Sequence, residues 1–500
     1  MLFGSRLLIA IAVLWASPTF AQEAHDHPAP EKLGQVSFAV SCKPAVQPEF
    51  NRAVALLHSF AYSAAQQAFR SVAEQDPQCA MAHWGIAMTY YHQLWEPPIP
   101  GDGLGKGQQE IARAQQLGAA TDRERSFIQA ASLVFQDGST VSYAARAAKY
   151  EAAMAALATQ DKDVEVQVFY ALSLLANAPP TDKEHVRQKK AVEILEPLYA
   201  AYPDHPGIPH YLIHACDNAE LAQRGLPYAR VYAKIAPSAP HALHMPSHIF
   251  TRLGLWDDSI ASNLAASEAA SKAGDVGEQL HAMDYLVYAY LQSGRDTDAA
   301  TVIAQLKSMQ NLNVGGFKTG YAATAMPVRY VVERHQWAEA AEIVAPSASS
   351  PPQVAAIAVW ARGLGLARSG HPADAASAIQ ELQRLQENLQ KSGNEYWATQ
   401  VGILKREVMA WSVQAQGKQQ DAMALLREAA DEEDSVEKLP VTPGPIVPAR
   451  EQLGDLLLQQ GHPELAAKAY HTALVNSPGR LGSLQGLSKS DEQLRASKTN

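Results

Sequence analysis

The chain has 500 residues, with 41 Lys+Arg against 51 Asp+Glu, a formal net charge of −10 and 47% hydrophobic residues. An acidic balance without any basic run excludes a nucleic-acid partner, whose phosphates call for concentrated Lys and Arg. This length accommodates two or three domain-sized units or one long repeat array.

The opening stretch, MLFGSRLLIAIAVLWASPTFAQEAHDH, places Arg6 before an apolar run from Leu7 to Ala16 and a small-residue pattern at Thr19-Phe20-Ala21. That is the layout of a secretory signal peptide over 1–21, too short to span a membrane. No later stretch is apolar enough to cross a bilayer, so the expected location is periplasmic or secreted. Residues 22–45 read as a polar leader in which His25 and His27 either capture metal weakly or have no structural role. The cysteines are Cys42, Cys79 and Cys216. In an oxidising compartment Cys42 and Cys79 are expected to pair, because a helical hairpin between them returns the chain to its start. Cys216 is left as a small buried side chain.

From residue 46 onward, Ala-rich amphipathic stretches alternate with short turns and no alternating strand pattern appears, so the expected fold is all-α. Residues 46–95 form N-terminal helices that include ALLHSFAYSAAQQAFRSVAEQDP. Residues 96–200 form a helical region interrupted by EPPIPGDGLGKG at 96–107 and by a polar connection near 178–187. Residues 201–310 carry the histidine-rich segments HPGIPHYLIHACD and HALHMPSHIFTRLGLW, and 311–437 hold further helical stretches. KLPVTPGPIVP, 438–448, is a third break, residues 447–480 form a final helix pair, and 481–500 read as a loose tail.

The clearest period lies in AREQLGDLLLQQGHPELAAKAYHTALVNSP. Its Leu453-Gly454, Leu457, Gly461, Ala466, Tyr470, Ala473 and Pro478 resemble the signature of a tetratricopeptide repeat, a 34-residue pair of antiparallel helices. Weaker copies fit the same ruler through Gly294 and Ala299, Gly363 and Gly370, Gly417 and Ala422, and Ala65, Phe69 and Pro77. Together with SCKPAVQPEFNRAVALLHSFAYSAAQQAF, DPQCAMAHWGIAMTYYHQLW and the two histidine-rich segments, the chain resembles exported bacterial tetratricopeptide-repeat proteins. The resemblance covers most of the chain past the leader. It implies a superhelical solenoid and export, and it assigns no reaction.

On this ruler His210 and His214 take positions 5 and 9 of one repeat, and His244 and His248 take the same positions 34 residues later. His241 falls at position 2, His281 at position 2 of the third repeat, Asp284 at its position 5 and Asp217 at position 12 of the first. The resemblance implies that positions 2, 5, 9 and 12 of the first helix line a concave groove, while residues such as Ile213 and Ala229 form the core. An i, i+4 histidine pair puts its Cβ atoms about 5–6 Å apart on one helix face. Packed helices lie about 8–10 Å apart, so imidazoles from neighbours can share an ion.

His210, His214, His241, His244, His248, His281, Asp217 and Asp284 are therefore the candidate ligands. Such a donor set suits Cu, Zn, Fe or Ni and disfavours Ca and Mg. The glutamate of an HExxH helix is missing, because Tyr211 follows His210. His58 and His92, also 34 residues apart, with His83-Trp84 and Trp95, form a fainter group that reads either as ligation or as packing under the 96–107 loop. Asp163, Glu165 and Tyr170 stand on a helix before the histidine-rich repeats and are candidates for the same groove.

The expected function is a transition-metal centre (Cu, Zn or Fe) in the groove of an exported solenoid, serving a hydrolase or an oxidase. No nucleophile elbow, phosphate loop or dinucleotide motif competes with it. The alternatives are a periplasmic scaffold that binds peptides or partner proteins, and a metal storage or delivery protein. The ligand in the groove is a small molecule or a peptide.

Overall fold

The computed structural model describes residues 31–310, 312–344, 346 and 350–499. The segment read as a signal peptide, and His25 and His27, lie outside these. The fold is an all-α, tetratricopeptide-like solenoid of antiparallel helix pairs, with no strand among the described residues. Among the described residues no helix is long and apolar enough to cross a membrane.

Small residues set how closely the paired helices approach. A Cβ on Gly454 would lie 2.6 Å from the Tyr470 ring, so only glycine lets helix Ala449–Gln459 meet helix Pro463–Asn476. At the turn before Trp256, Gly254 has φ 67°, a left-handed conformation that ends the preceding helix without a Cβ penalty.

The histidine-rich region is three consecutive pairs. Helix Gly207–Cys216 packs on Ala222–Ile235. The second pair sets Pro240–His244 and Pro246–Arg252 against Trp256–Ala273; Pro246 has no N–H to donate, which divides the first of these helices in two. The third pair is Val276–Gln292 with Asp296–Ser308.

An aromatic cluster of Phe38, Phe50, Trp84, Phe127 and Phe169 anchors the N-terminal pairs, with Phe38 5.0–6.4 Å from each of the others between ring centroids. The Cys42–Cys79 disulfide fastens the segment before the first helix to the start of helix Ala80–Met88, and Cys216 is buried and free. Replacing both bonded cysteines with serine is expected to lower the unfolding free energy by about 2–4 kcal/mol, because the denatured chain regains the freedom of the closed loop. Urea denaturation measures this; an unchanged midpoint would mean that packing alone closes the hairpin.

Two features differ from the sequence reading. The segment read as a loose tail is helix Leu481–Thr499. Its Gly486 lies against the Tyr470 ring, where a Cβ would approach to 2.2 Å, so the helix covers the apolar face that the last pair would otherwise expose. The concave side is also not an open groove. Residues 89–102 and 435–448, which overlap the breaks read at 96–107 and 438–448, fold inward over the histidine-rich pairs, and residues 103–107 already belong to helix Gly103–Leu117.

The superhelix also meets itself. Trp256 Nε1 donates to the Gly479 carbonyl at 3.2 Å, and the Leu481 N–H donates to Gln292 Oε1 at 2.9 Å. Fully buried Arg480 reaches Glu333 at 2.8 Å and Glu451 at 2.8 Å.

Candidate metal centre

Six imidazoles converge under these loops as two groups of three. In the first, His210 and His214 come from helix Gly207–Cys216 and His241 from helix Pro240–His244. In the second, His244 and His248 come from the divided helix of the next pair and His281 from helix Val276–Gln292. Within each group one ring nitrogen per histidine lies within 4.8 Å of the other two. All but half-buried His214 are at most 3% exposed. The groups adjoin: ring centroids are 6.0 Å apart for His214 and His248 and 6.1 Å for His241 and His244.

Hydrogen bonds at Nδ1 determine which ring nitrogen faces inward. His244 Nδ1 sits 2.6 Å from Asn263 Oδ1, and Asn263 Nδ2 is committed to the Ser259 carbonyl at 2.9 Å. The asparagine therefore presents its oxygen and His244 Nδ1 carries the proton. His248 Nδ1 donates to the Asp217 carboxylate at 2.9 Å. Both Nε2 atoms are then left with lone pairs, and they face each other at 3.0 Å. A hydrogen bond between them would require one ring to be an imidazolium. Burial pushes the pKa of His244 well down and lowers that of His248, so both favour the neutral form.

Two neutral lone pairs at that separation repel, whereas a shared cation turns them into ligands. Nitrogens each about 2.0–2.1 Å from one tetrahedral ion lie about 3.3 Å apart. The first group is built alike only in part: the buried Nδ1 of His214 has no hydrogen-bond partner among the described residues, so its Nε2 is free to donate to His210. His210 Nδ1 donates to the His58 carbonyl at 2.6 Å, and His210 Nε2 faces His214 Nε2 at 3.2 Å. His241 Nδ1 lies 3.2 Å from Glu278 Oε2, while its buried Nε2 has no hydrogen-bond partner among the described residues.

Asp217 and Asp284, expected as ligands, are placed otherwise. Asp217 contacts His248 from outside and also binds Arg252 and Lys438, each at 2.8 Å. Burial pushes its carboxyl up, but Lys438, Arg252 and His248 outweigh that and hold it well below the usual range. Asp284 faces Arg329 at 3.4 Å in a buried pair and belongs to neither group. Glu278, absent from the sequence reading, does for His241 what Asp217 does for His248; it is itself paired with Lys318.

The cover comes from both inward loops. Trp95 stands 5.7 Å from His241 and 5.4 Å from His281 between ring centroids, with Lys318 Nζ 4.1 Å over its own ring. From the other side the Tyr285 hydroxyl reaches the carbonyls of Pro440 and Thr442 at 3.3 and 3.1 Å. Between cover and histidines lies a small cavity of about 10 Å³, room for about one water-sized molecule, bounded by Leu94, Trp95, Met245 and Pro440 and by His214, His241, His248 and His281. A larger cleft of about 220 Å³ shares Leu94, Trp95, His214 and Pro440 with it and adds Gln93, Tyr143, Asp217 and Lys438.

The fainter histidine group separates into pieces. His58 Nε2 and His205 Nε2 donate to the two oxygens of buried Glu165 at 2.9 and 3.0 Å. The Nδ1 atoms accept from the Tyr211 hydroxyl and the Gly207 N–H, so every polar atom of this trio is paired. It supports the first group, because the His58 carbonyl orients His210. His83 pairs with Glu110 at 2.7 Å, and His92 stacks on Tyr62 at 3.8 Å between centroids. Asp163 pairs with Arg123, and Tyr170 lies under Lys190, so neither is among the residues that line the centre.

No family model matches the chain, and none of the curated proteins does. The solved structures similar to it include the TPR domain of P58(IPK), at 12% identity and TM-score 0.23, covering 91% of this chain and 100% of that one. Another is the APC/C hetero-tetramer Cut9–Hcn1, at 11% identity and TM-score 0.37, covering 93% and 78%. At that distance these likenesses add no argument to the helical-repeat fold seen directly.

Proposed function

We propose that this protein is a transition-metal protein whose histidine centre serves a metal-dependent enzyme acting on a small molecule. The observation that carries the reading is the opposed pair of Nε2 atoms of His244 and His248, 3.0 Å apart with both Nδ1 atoms held by acceptors, beside a second cluster of His210, His214 and His241. Imidazole donors of this kind suit copper, zinc or iron. The inward loops favour a small-molecule ligand over a peptide, and the cleft with Asp217 and Lys438 at the mouth of the centre gives such a molecule a place. A storage or delivery protein would share the ligands but has no need of that cleft. The Cys42–Cys79 disulfide supports export to an oxidising compartment.

Elemental analysis of the full chain purified without a histidine tag tests the reading directly. Stoichiometric copper, zinc or iron is the expected result, and metal below a tenth of an equivalent after exposure to all three would overturn it. Orientation of the rings matters as well. Asn263→Ala removes the acceptor at His244 Nδ1 without changing any charge, and metal affinity should fall about 10–100-fold. Competition with a chelator of known affinity measures the change; equal affinity would show that the ring needs no such support.

A further inference from the structure

The two groups have the same construction. Each combines an i, i+4 pair from one first helix with a single histidine from the first helix of the next repeat: His210 and His214 with His241, then His244 and His248 with His281. Stacking one repeat on the next has thus generated the same three-nitrogen site twice. This is the pattern of two sites side by side, not of one ion with six ligands.

Neither group includes a carboxylate or a thiolate. Asp217 and Glu278 bond the outer Nδ1 atoms, and each carboxylate is already matched by Lys438 and Arg252 or by Lys318. The inner donors are therefore neutral, in a buried setting where every added positive charge costs desolvation energy. Three neutral imidazoles suit copper, and a monovalent ion adds half the charge of zinc or iron(II). Opposite the histidines the small cavity is lined by Leu94, Trp95, Met245 and Pro440. Such a lining suits a small apolar molecule better than the water and charged esters of hydrolytic chemistry.

The geometry points to a pair of copper ions, one per group, that bind dioxygen in the cavity under Trp95 and Pro440. This inference rests on the metal reading above and specifies its ions and its substrate. Each Cu(I) gives up one electron, and one dioxygen takes both, which reduces it to the peroxide level without a proton and leaves two Cu(II).

The test is anaerobic titration of the metal-free full chain with Cu(I), the unbound ion being read with a Cu(I)-specific dye, followed by admission of air. The expected result is two equivalents bound per chain, one dioxygen consumed per two copper ions, and no electron paramagnetic resonance signal, because adjacent Cu(II) spins couple. His281→Ala and His241→Ala, with folding checked by circular dichroism, should each bind one equivalent. A single equivalent in the unmodified protein, or two equivalents whose resonance integrates to two isolated spins, overturns the pair. Binding of no metal at all sinks the broader reading instead, so the two failures are distinguishable.

Discussion

His244→Ala combined with His248→Ala is expected to abolish binding at the second group and to remove the stabilisation that metal confers there. A ligand that binds only the folded state at 1,000 times its dissociation constant stabilises by about 4 kcal/mol. The unmodified protein should therefore gain about that much at saturating metal, and the double variant should lose the second group's share. Helical content should persist, because Ala242 and Ile249 are fully buried in the apolar core whether or not an ion is present. Denaturation with and without a chelator measures both effects. If the variant keeps the full increment, His244 and His248 are not ligands. If it unfolds without any metal effect in the parent, the two rings serve packing alone.

Arg480→Met is expected to be the most destabilising single replacement outside the centre. The guanidinium is fully buried and bonds both oxygens of Glu333 at 2.9 and 2.8 Å and both of Glu451 at 2.8 and 3.0 Å. Methionine fills much of the volume but leaves two buried carboxylates without their cation, and breaking a buried pair in this way costs about 3–5 kcal/mol. The sign of the pH dependence follows. In the variant the folded-state carboxyls bind protons more tightly than the unfolded ones, so the deficit is full at neutral pH. It shrinks as pH falls toward about 4, the range of free glutamate. Urea midpoints at several pH values read this out, and a deficit below 1 kcal/mol, or one that ignores pH, would show that the carboxylates find other partners.

The sequence carried the helix pairs and the placement of the six rings further than it carried their surroundings. His210, His214, His244 and His248 are legible because a repeat period converts spacing directly into position on one face. The roles of Asp217 and Asp284 are not, because spacing puts a carboxylate on that face without saying whether its neighbour is an ion or a cation. Asp217 is claimed by Arg252 and by Lys438, which arrives from 221 residues away, and Asp284 by Arg329, 45 residues on. No local pattern contains these meetings. Glu278 had a local signal, standing three residues before His281 on the same helix, where i, i+3 neighbours share a face. The inward loops were readable as breaks at their prolines but not in direction, since what draws Trp95 and Pro440 inward is Lys318 and Tyr285 on another repeat. The terminal helix was missed for a related reason: its polar sequence is ordered by the Tyr470 face that it covers.

The meeting of residues 478–481 with Trp256, Gln292 and Glu333 has a consequence for how such an array can change over time. An open solenoid resembles a spring: repeats can be added or lost at little cost, and each unit melts on terms set by its neighbours alone. Here the last turn is latched to the middle of the chain, so the array behaves as a closed loop of fixed circumference. One extra repeat between Glu333 and Arg480 would carry the latch past its partners and pull Lys438 away from Asp217. The number of repeats is thereby locked to the geometry of the histidine centre, and modularity has been exchanged for a single cooperative unit.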